Sequence, residues 1–107
     1  MRLPLVIMPT AEEGLLRNAR FWETNYSLDE AERWYTTFSR AIEAIPDHPL
    51  QHPVARANDA FPFELRALHF GISSFPTHRA LFTIRPDVIV VLAIRGAAEQ
   101  DATVEEL

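Results

Sequence analysis

Cysteine and lysine are absent from the sequence, and only three glycines occur among its 107 residues. Without cysteine, the chain can hold no disulfide, no thiolate metal site and no cysteine nucleophile. Three scattered glycines are too few for a loop that cradles phosphate. No apolar run approaches the ~20 residues that a membrane-spanning helix needs, and the apolar start of the chain is too short for a signal peptide. We therefore expect a cytoplasmic protein without a cofactor or a bound metal ion.

Acidic residues outnumber basic ones, but the two are unevenly distributed along the chain. Ten arginines stand against 15 acidic residues, which gives a net charge of −5. A net-negative protein lacks the overall field that attracts polyanions, so direct binding of nucleic acid is disfavoured. Between Phe63 and Arg95, however, four arginines face only two acidic residues, whereas residues 96–107 carry four acidic side chains and no basic one. The sequence therefore predicts a locally basic surface followed by an acidic tail.

Two helices are predicted in the first half of the chain. Thr10 with Glu13, and Ser27 with Glu30, have the spacing of capping boxes that satisfy free backbone amides at a helix start. Because the break between the two helices is short, we expect an antiparallel helical hairpin. Trp22 is expected in the core, and an exposed aromatic on the hairpin would instead indicate contact with a second copy or a partner. The second helix has an apolar stripe at helical spacing, formed by Ala31, Trp34, Tyr35, Phe38, Ala41, Ile42 and Ile45.

Strands are predicted on both sides of the hairpin. Their segments are Leu3–Met8, Phe63–Gly71, Ala80–Arg85 and Val88–Arg95, and the proline-rich segment Pro46–Pro62 is a connecting loop. The last of these strands is apolar on both faces, which is typical of the centre of a sheet. This order predicts one α+β domain over residues 1–107, in which the hairpin packs on a mainly antiparallel four-stranded sheet. We expect the functional surface on the other sheet face, which is partly open and carries arginines.

Several motifs resemble those of one protein family. They are PTAEEGL after the first strand, ELRALHFG, HRALFTI, and VIVVLAIRGAAEQ near the C-terminus. Together with the order of elements, they are similar to the RelE/ParE superfamily of type II toxins, and most of all to its ParE-like, plasmid-stabilisation branch. The resemblance covers nearly the whole chain. It implies a β-α-α-β-β-β toxin that is neutralised by a cognate antitoxin, whose C-terminal segment wraps the toxin and contacts the sheet.

Two activities occur in this superfamily. RelE-like members cut messenger RNA on the ribosome, and the resemblance places their acid, base and cationic groups on the strands and just after the last strand. ParE-like members inhibit DNA gyrase without a nuclease site. Residues 96–101 of this chain hold no tyrosine, histidine, lysine or arginine, which favours a non-catalytic inhibitor of gyrase. Gly96 stands where family members commonly have histidine, so a degenerate member that binds antitoxin but is not toxic is a third hypothesis.

Four arginines are the candidate partner-binding residues, namely Arg66, Arg79, Arg85 and Arg95. By resemblance, Arg66 matches the arginine of the family's E-L-R motif and Arg79 the basic residue that opens the next strand. The alternative for Arg66 is an ion pair with Glu64 on the same face. Exposed ion pairs of this kind contribute little to the stability of a protein. Arg95 has a structural alternative too, because its stem can lie along apolar surface while its charge stays in water.

Histidines enter only the alternative hypotheses. If the protein is a ribonuclease, the catalytic candidates are Arg66 and Arg79 with His69 or His78, since histidine can act as a general base near neutral pH. His48 and His52 have a spacing that suits zinc on a helix, but the prolines around them forbid a regular helix. We therefore expect no metal site there.

Overall fold

The structure is a computed structural model that describes residues 2–56, 58–71 and 77–96. Two helices and four strands form its framework: β1 (Leu5–Ile7), α1 (Pro9–Asn25), α2 (Leu28–Glu43), β2 (Arg66–Phe70), β3 (His78–Ile84) and β4 (Ile89–Gly96). Every predicted helix and strand is present, and the largest shift at a strand start is at β2, which begins three residues later than predicted. The predicted α+β fold is confirmed. Within the described ranges, no helix is both long and apolar enough to traverse a bilayer.

The four strands form one sheet in the order β1-β4-β3-β2. β1 runs parallel to β4, while β4 with β3 and β3 with β2 are antiparallel. β4 therefore pairs on both sides, as its apolar sequence predicts for a central strand. Its pairing with β3 contains a bulge, because Leu81 faces Ala93 whereas the next residue, Phe82, faces Val91. Leu92 is the extra residue of this bulge.

Helix α2 forms as its sequence predicts. The Ser27 hydroxyl accepts a hydrogen bond of 3.1 Å from the backbone N–H of Glu30, which confirms this cap. Trp34, Phe38 and Ile42 are fully buried between the helix and the sheet. The Phe38 ring stacks on Phe70 of β2 with 4.5 Å between ring centroids. Burial of each such side chain contributes roughly 1.5–3 kcal/mol, so this stripe is what holds α2 on the sheet.

The predicted capping box at the start of α1 is wrong. The helix begins at Pro9, and its first flanking residue, Met8, provides no side-chain cap. Proline fits the first turn because the N–H that it lacks has no helical partner there. Thr10 lies inside the helix, and its hydroxyl donates a 2.7 Å hydrogen bond to the carbonyl of Leu92. Thr10 therefore joins α1 to the bulge of β4, which is a tertiary contact that local sequence spacing does not encode.

Helix α1 also approaches β4 closely at Gly14. A Cβ atom at this position would lie 3.0 Å from the Cβ of Ile94 and 3.2 Å from its carbonyl oxygen. Both distances are shorter than ordinary van der Waals contact. Glycine therefore lets the helix backbone rest directly on the central strand, despite the cost of glycine inside a helix.

The proline-rich connection covers the free edge of β2. It contains three short 3₁₀ turns rather than only irregular loop. Val54 forms an antiparallel bridge with Arg66. Beside it, Ala67 N–H donates to the Pro53 carbonyl at 2.9 Å and Ala55 N–H donates to the Leu65 carbonyl at 2.7 Å. The segment thus satisfies backbone groups that would otherwise template pairing with another chain.

Candidate functional site

A row of three basic side chains crosses the sheet on the face away from the helices, which we call the outer face. The strand register places His69 of β2 opposite Arg79 of β3, and Arg79 opposite Arg95 of β4. Each lies two residues from a member of the small apolar cluster that marks this face, which includes Ala67, Leu81 and Ala93. Since side chains alternate along a strand, the three basic residues share the outer face. We call His69, Arg79 and Arg95 the basic row.

Arg79 is the anchored centre of the basic row. It is only 8% exposed, and its Nη1 donates a 2.8 Å hydrogen bond to the carbonyl of Gly96, the last residue of β4. His69 is exposed and Arg95 is half-buried. Like charges on directly opposite strand positions repel one another, and arginine stays charged in proteins. Two adjacent arginines are also complementary in charge to an anionic group such as a carboxylate.

Arg66 lies on the other side of the sheet, so it does not share the outer face with Arg79 and Arg95. The register places Arg66 opposite Phe82, a residue of the core beneath the helices. Its Nε contacts Glu64 at 2.9 Å, as the ion-pair alternative predicts, and its Nη1 donates to the His52 carbonyl at 2.6 Å. Arg66 thus fastens the segment that covers the edge of β2. The physical reason is that side chains alternate between the two faces along each strand. Arg66 pairs with Phe82, which lies three positions from Arg79 on β3, so Arg66 and Arg79 face opposite sides of the sheet.

Arg85 is also separated from the basic row. It is exposed in the turn between β3 and β4, where its backbone N–H donates to the Val88 carbonyl at 2.8 Å. It lies six positions along the extended chain from Arg79, which corresponds to about 20 Å. Of the four candidate arginines, the structure therefore brings only Arg79 and Arg95 together.

Of the residues of the ribonuclease alternative, Arg79 and His69 lie side by side in the basic row, whereas Arg66 and His78 lie on the helix side of the sheet. His78 belongs to the helix side of the sheet, with its ring centroid 4.9 Å from that of Trp34. Its Nδ1 lies 2.8 Å from the Thr77 hydroxyl and its Nε2 lies 3.1 Å from Asn18 Oδ1. The Asn18 amide nitrogen donates to the Gly14 carbonyl, so Oδ1 is the acceptor and His78 Nε2 carries the proton. His78 therefore ties α1 to β3 behind the sheet.

His52 lies next to the covered edge of β2. Its ring meets Phe82 edge-on, with 5.7 Å between centroids. Burial lowers the pKa of His52 below its usual 6.5, and the neighbouring His69 and Arg66 lower it further. In the part of the chain that the structure describes, no three histidine or acidic side chains are grouped as a metal ion would require.

A second surface feature lies on the helical hairpin. A groove of about 390 Å³ runs between α1 and α2 on the side away from the sheet. The apolar side chains Leu16 and Leu28 are 43% and 56% exposed along it. Sequence periodicity missed this groove because these two residues lie outside the apolar stripes that face the sheet. The sequence did contain an indication of this groove, because large apolar residues occupy helix positions that are expected to be exposed to solvent.

Comparisons with known proteins identify one similar solved structure. No family model matches the sequence, and no curated protein matches it. The structure is similar to a chain from the solved chromosomal ParDE TA system of P. aeruginosa, with a TM-score of 0.70 and 15% sequence identity. The match covers 89% of this chain and 96% of that one. At this low identity the likeness concerns the fold, and the chain therefore has a ParE-like fold, as the resemblance of its motifs implied.

Proposed function

We propose that this protein is the toxin component of a type II toxin–antitoxin system, and that a cognate antitoxin neutralises it by binding the basic row. The observation that carries the proposal is the placement of His69, Arg79 and Arg95 side by side on the outer face of a ParE-like sheet. The similarity to a chain of a ParDE system supports the choice of partner.

The chemistry of the basic row specifies what the antitoxin presents. Arginine binds carboxylates through paired, charge-assisted hydrogen bonds, which are about twice as strong as neutral ones. The apolar side chains that stay accessible on this side are those of the half-buried loop residues Phe61 and Phe63, which pack over the outer-face cluster. The matching segment therefore carries acidic side chains flanked by apolar ones.

Charge reversal in the basic row tests this interface. The partner in the experiment is the small protein encoded by the neighbouring reading frame. We expect Arg95→Glu to weaken its binding about 10- to 100-fold in calorimetric titration, because attraction becomes repulsion at a partly buried position. His69→Glu, at an exposed position, is a second variant that does not disturb packing.

Arg85→Glu is the matched control for Arg95→Glu. It makes the same change of charge at an exposed position about 20 Å from the row, so its affinity should stay within about twofold of the parent protein. Thermal unfolding of each variant verifies that the fold is intact. If Arg85→Glu weakens binding as much as Arg95→Glu does, a diffuse electrostatic effect replaces the proposed interface.

We propose further that the toxin inhibits DNA gyrase and has no nuclease chemistry. Two observations support this: Arg66 and His78 lie on the opposite side of the sheet from Arg79 and His69, so only part of the candidate set comes together, and the net charge of −5 opposes RNA binding. Residues 97–101, where the resemblance places further reactive groups, lie outside the described residues. Their composition still offers no base or general acid other than carboxylates.

The activity is tested with the purified protein in two assays. It should block supercoiling by purified gyrase and leave ribosome-bound message intact. Site-specific cleavage of message that disappears in Arg79→Ala would favour the ribonuclease alternative. Antitoxin binding without either activity would identify the degenerate, non-toxic member.

A further inference from the structure

The groove on the helical hairpin is an apolar surface rimmed by charge. Its floor includes the small residues Ala19 and Ala31 together with Tyr35. Leu16 and Leu28 add large apolar side chains that are 43% and 56% exposed. Contiguous exposed apolar surface of this kind marks a contact with another molecule.

Tyr26 is an exposed aromatic residue at the turn of the hairpin, directly after the end of α1. It is 64% exposed. Tyr26 stacks at a tilt on Trp22, with 4.8 Å between centroids. Aromatic side chains are enriched where proteins meet, because they bury much area at little entropic cost. An exposed aromatic residue at this turn is therefore consistent with a contact between the hairpin and another molecule.

The charges on the rim are opposite in sign and level with each other. Arg20 stands on the α1 side and Glu32 on the α2 side of the groove. Arg20 lies six residues before Tyr26, where α1 ends, and Glu32 lies six residues after it. In an antiparallel hairpin, equal separations from the turn bring the two positions to the same height along the helices.

From this pattern we infer that two copies of the chain associate through their hairpin grooves as an antiparallel four-helix assembly. A twofold axis parallel to the groove places α1 of one copy over α2 of the other. Arg20 then faces Glu32 of the partner subunit, and the symmetry repeats this pair. A twofold axis perpendicular to the groove would place α1 over α1 and α2 over α2, so Arg20 would not face Glu32 of the partner subunit. The charges thus select the first arrangement.

The size of the surface sets the strength of the association. Helix α1 has 17 residues and is about 25 Å long, and two helices side by side are about 20 Å wide. The area given by this length and width is smaller than the ~800 Å² that each partner of a standard stable complex contributes. We therefore expect a reversible dimer with a dissociation constant on the order of micromolar. The basic row lies on the outer face of the sheet, so dimerisation leaves it accessible.

The test is sedimentation of the purified full chain over a concentration series from about 1 to 100 μM. The parent protein should shift from monomer to dimer in this range. Leu28→Glu should raise the dissociation constant about 100-fold, because it places a charge in an apolar contact. Leu28 is exposed at the start of α2, so this variant should fold normally.

A charge swap tests the proposed geometry. Arg20→Glu alone should raise the dissociation constant about 10-fold, since two attractive pairs become repulsive. Adding Glu32→Arg to it should restore association. Arg33→Glu is the matched control, because Arg33 is exposed on α2 but does not line the groove, and it should have little effect.

Three outcomes would contradict the dimer or its proposed geometry. A monomer at every concentration rules the dimer out. Failure of the double swap to rescue association rules out the Arg20 pairing with Glu32 of the partner subunit. If the toxin is monomeric and Leu28→Glu instead weakens antitoxin binding, the groove holds a helix of the antitoxin. None of these results changes the loss of antitoxin binding expected for Arg95→Glu. The dimer and the proposed function can therefore be disproved independently of each other.

Discussion

The two faces of the sheet are covered by different kinds of side chain. On the helix side, large residues such as Trp34, Phe38 and Phe82 are completely buried and interlock with the strands. On the outer face, the buried residues are mostly small, and loop residues rather than a helix lie over them. The basic row stands on this second face. The helix side therefore contributes more to the stability of the fold. On the outer face, residues can be suited to binding a partner with a smaller loss of stability.

Truncation of the helix-side core should cause the largest loss. We expect Phe38→Ala to lower the free energy of unfolding by about 3–5 kcal/mol, because it leaves a cavity and removes the stacking on Phe70. Leu81→Ala on the outer face should cost about 2–3 kcal/mol, since the cluster around it is smaller. Urea denaturation measures both values. Equal losses would mean that the two faces contribute alike, contrary to this comparison.

Gly14→Ala tests the closeness of α1 to the helix side of β4. Alanine favours a helix by about 1 kcal/mol over glycine, so an open site would gain stability. Here the new Cβ would meet Ile94 at 3.0 Å and its carbonyl oxygen at 3.2 Å. We expect a net loss of about 1–2 kcal/mol in urea denaturation, because crowding against a central strand outweighs helix propensity. A higher melting temperature would show that α1 can move away from β4.

Thr10→Val should have a smaller effect. It removes the hydrogen bond to the Leu92 carbonyl while keeping the shape of the side chain. We expect a loss of about 0.5–1.5 kcal/mol in unfolding free energy. Thr24→Val, on the exposed surface of the same helix, is the control and should change stability by less than about 0.5 kcal/mol. Similar losses in both variants would indicate a general effect of valine on helix α1 rather than loss of the tether.

The pH dependence contributed by His52 should be the smallest effect. Burial lowers the pKa of His52 in the folded protein below 6.5, so the unfolded chain binds its proton more readily. Stability is therefore full above about pH 6.5 and is lost as the pH falls through the folded-state pKa. His52→Gln should flatten this decline, as measured by urea denaturation at several pH values. His48→Gln, at an exposed position, should leave it unchanged.

Local patterns were sufficient for the elements with strong periodicity. The apolar stripe of α2 and the cap at Ser27 are each contained within one stretch of chain, so the sequence predicts them correctly. Likewise, the unbroken apolar run of β4 identifies a central strand. Thr10 shows the limit: its spacing to Glu13 satisfies the capping pattern, yet its hydroxyl binds Leu92, which is remote in sequence. Competition from a tertiary acceptor is invisible to a local pattern.

The candidate site depended on register. Arg66 and Arg79 look equivalent in the sequence, since both are arginines in similar family motifs. Alternation along each strand is local, but which positions of two strands share a face depends on how the strands pair. The observed register sends Arg66 to the helix side and aligns Arg79 with His69 and Arg95. Only this pairing converts scattered basic residues into a row.

By itself, the sequence determined the class of fold, the amphipathic α2 and the central position of β4. These follow from hydrophobic periodicity and from capping and turn residues, which act within a few residues of each other. The tertiary structure decided where α1 rests on the sheet, how the β2 edge is covered and which basic side chains meet. Those features depend on long-range register and on close approach at single points such as Gly14, where contacts between distant segments outweigh local preference.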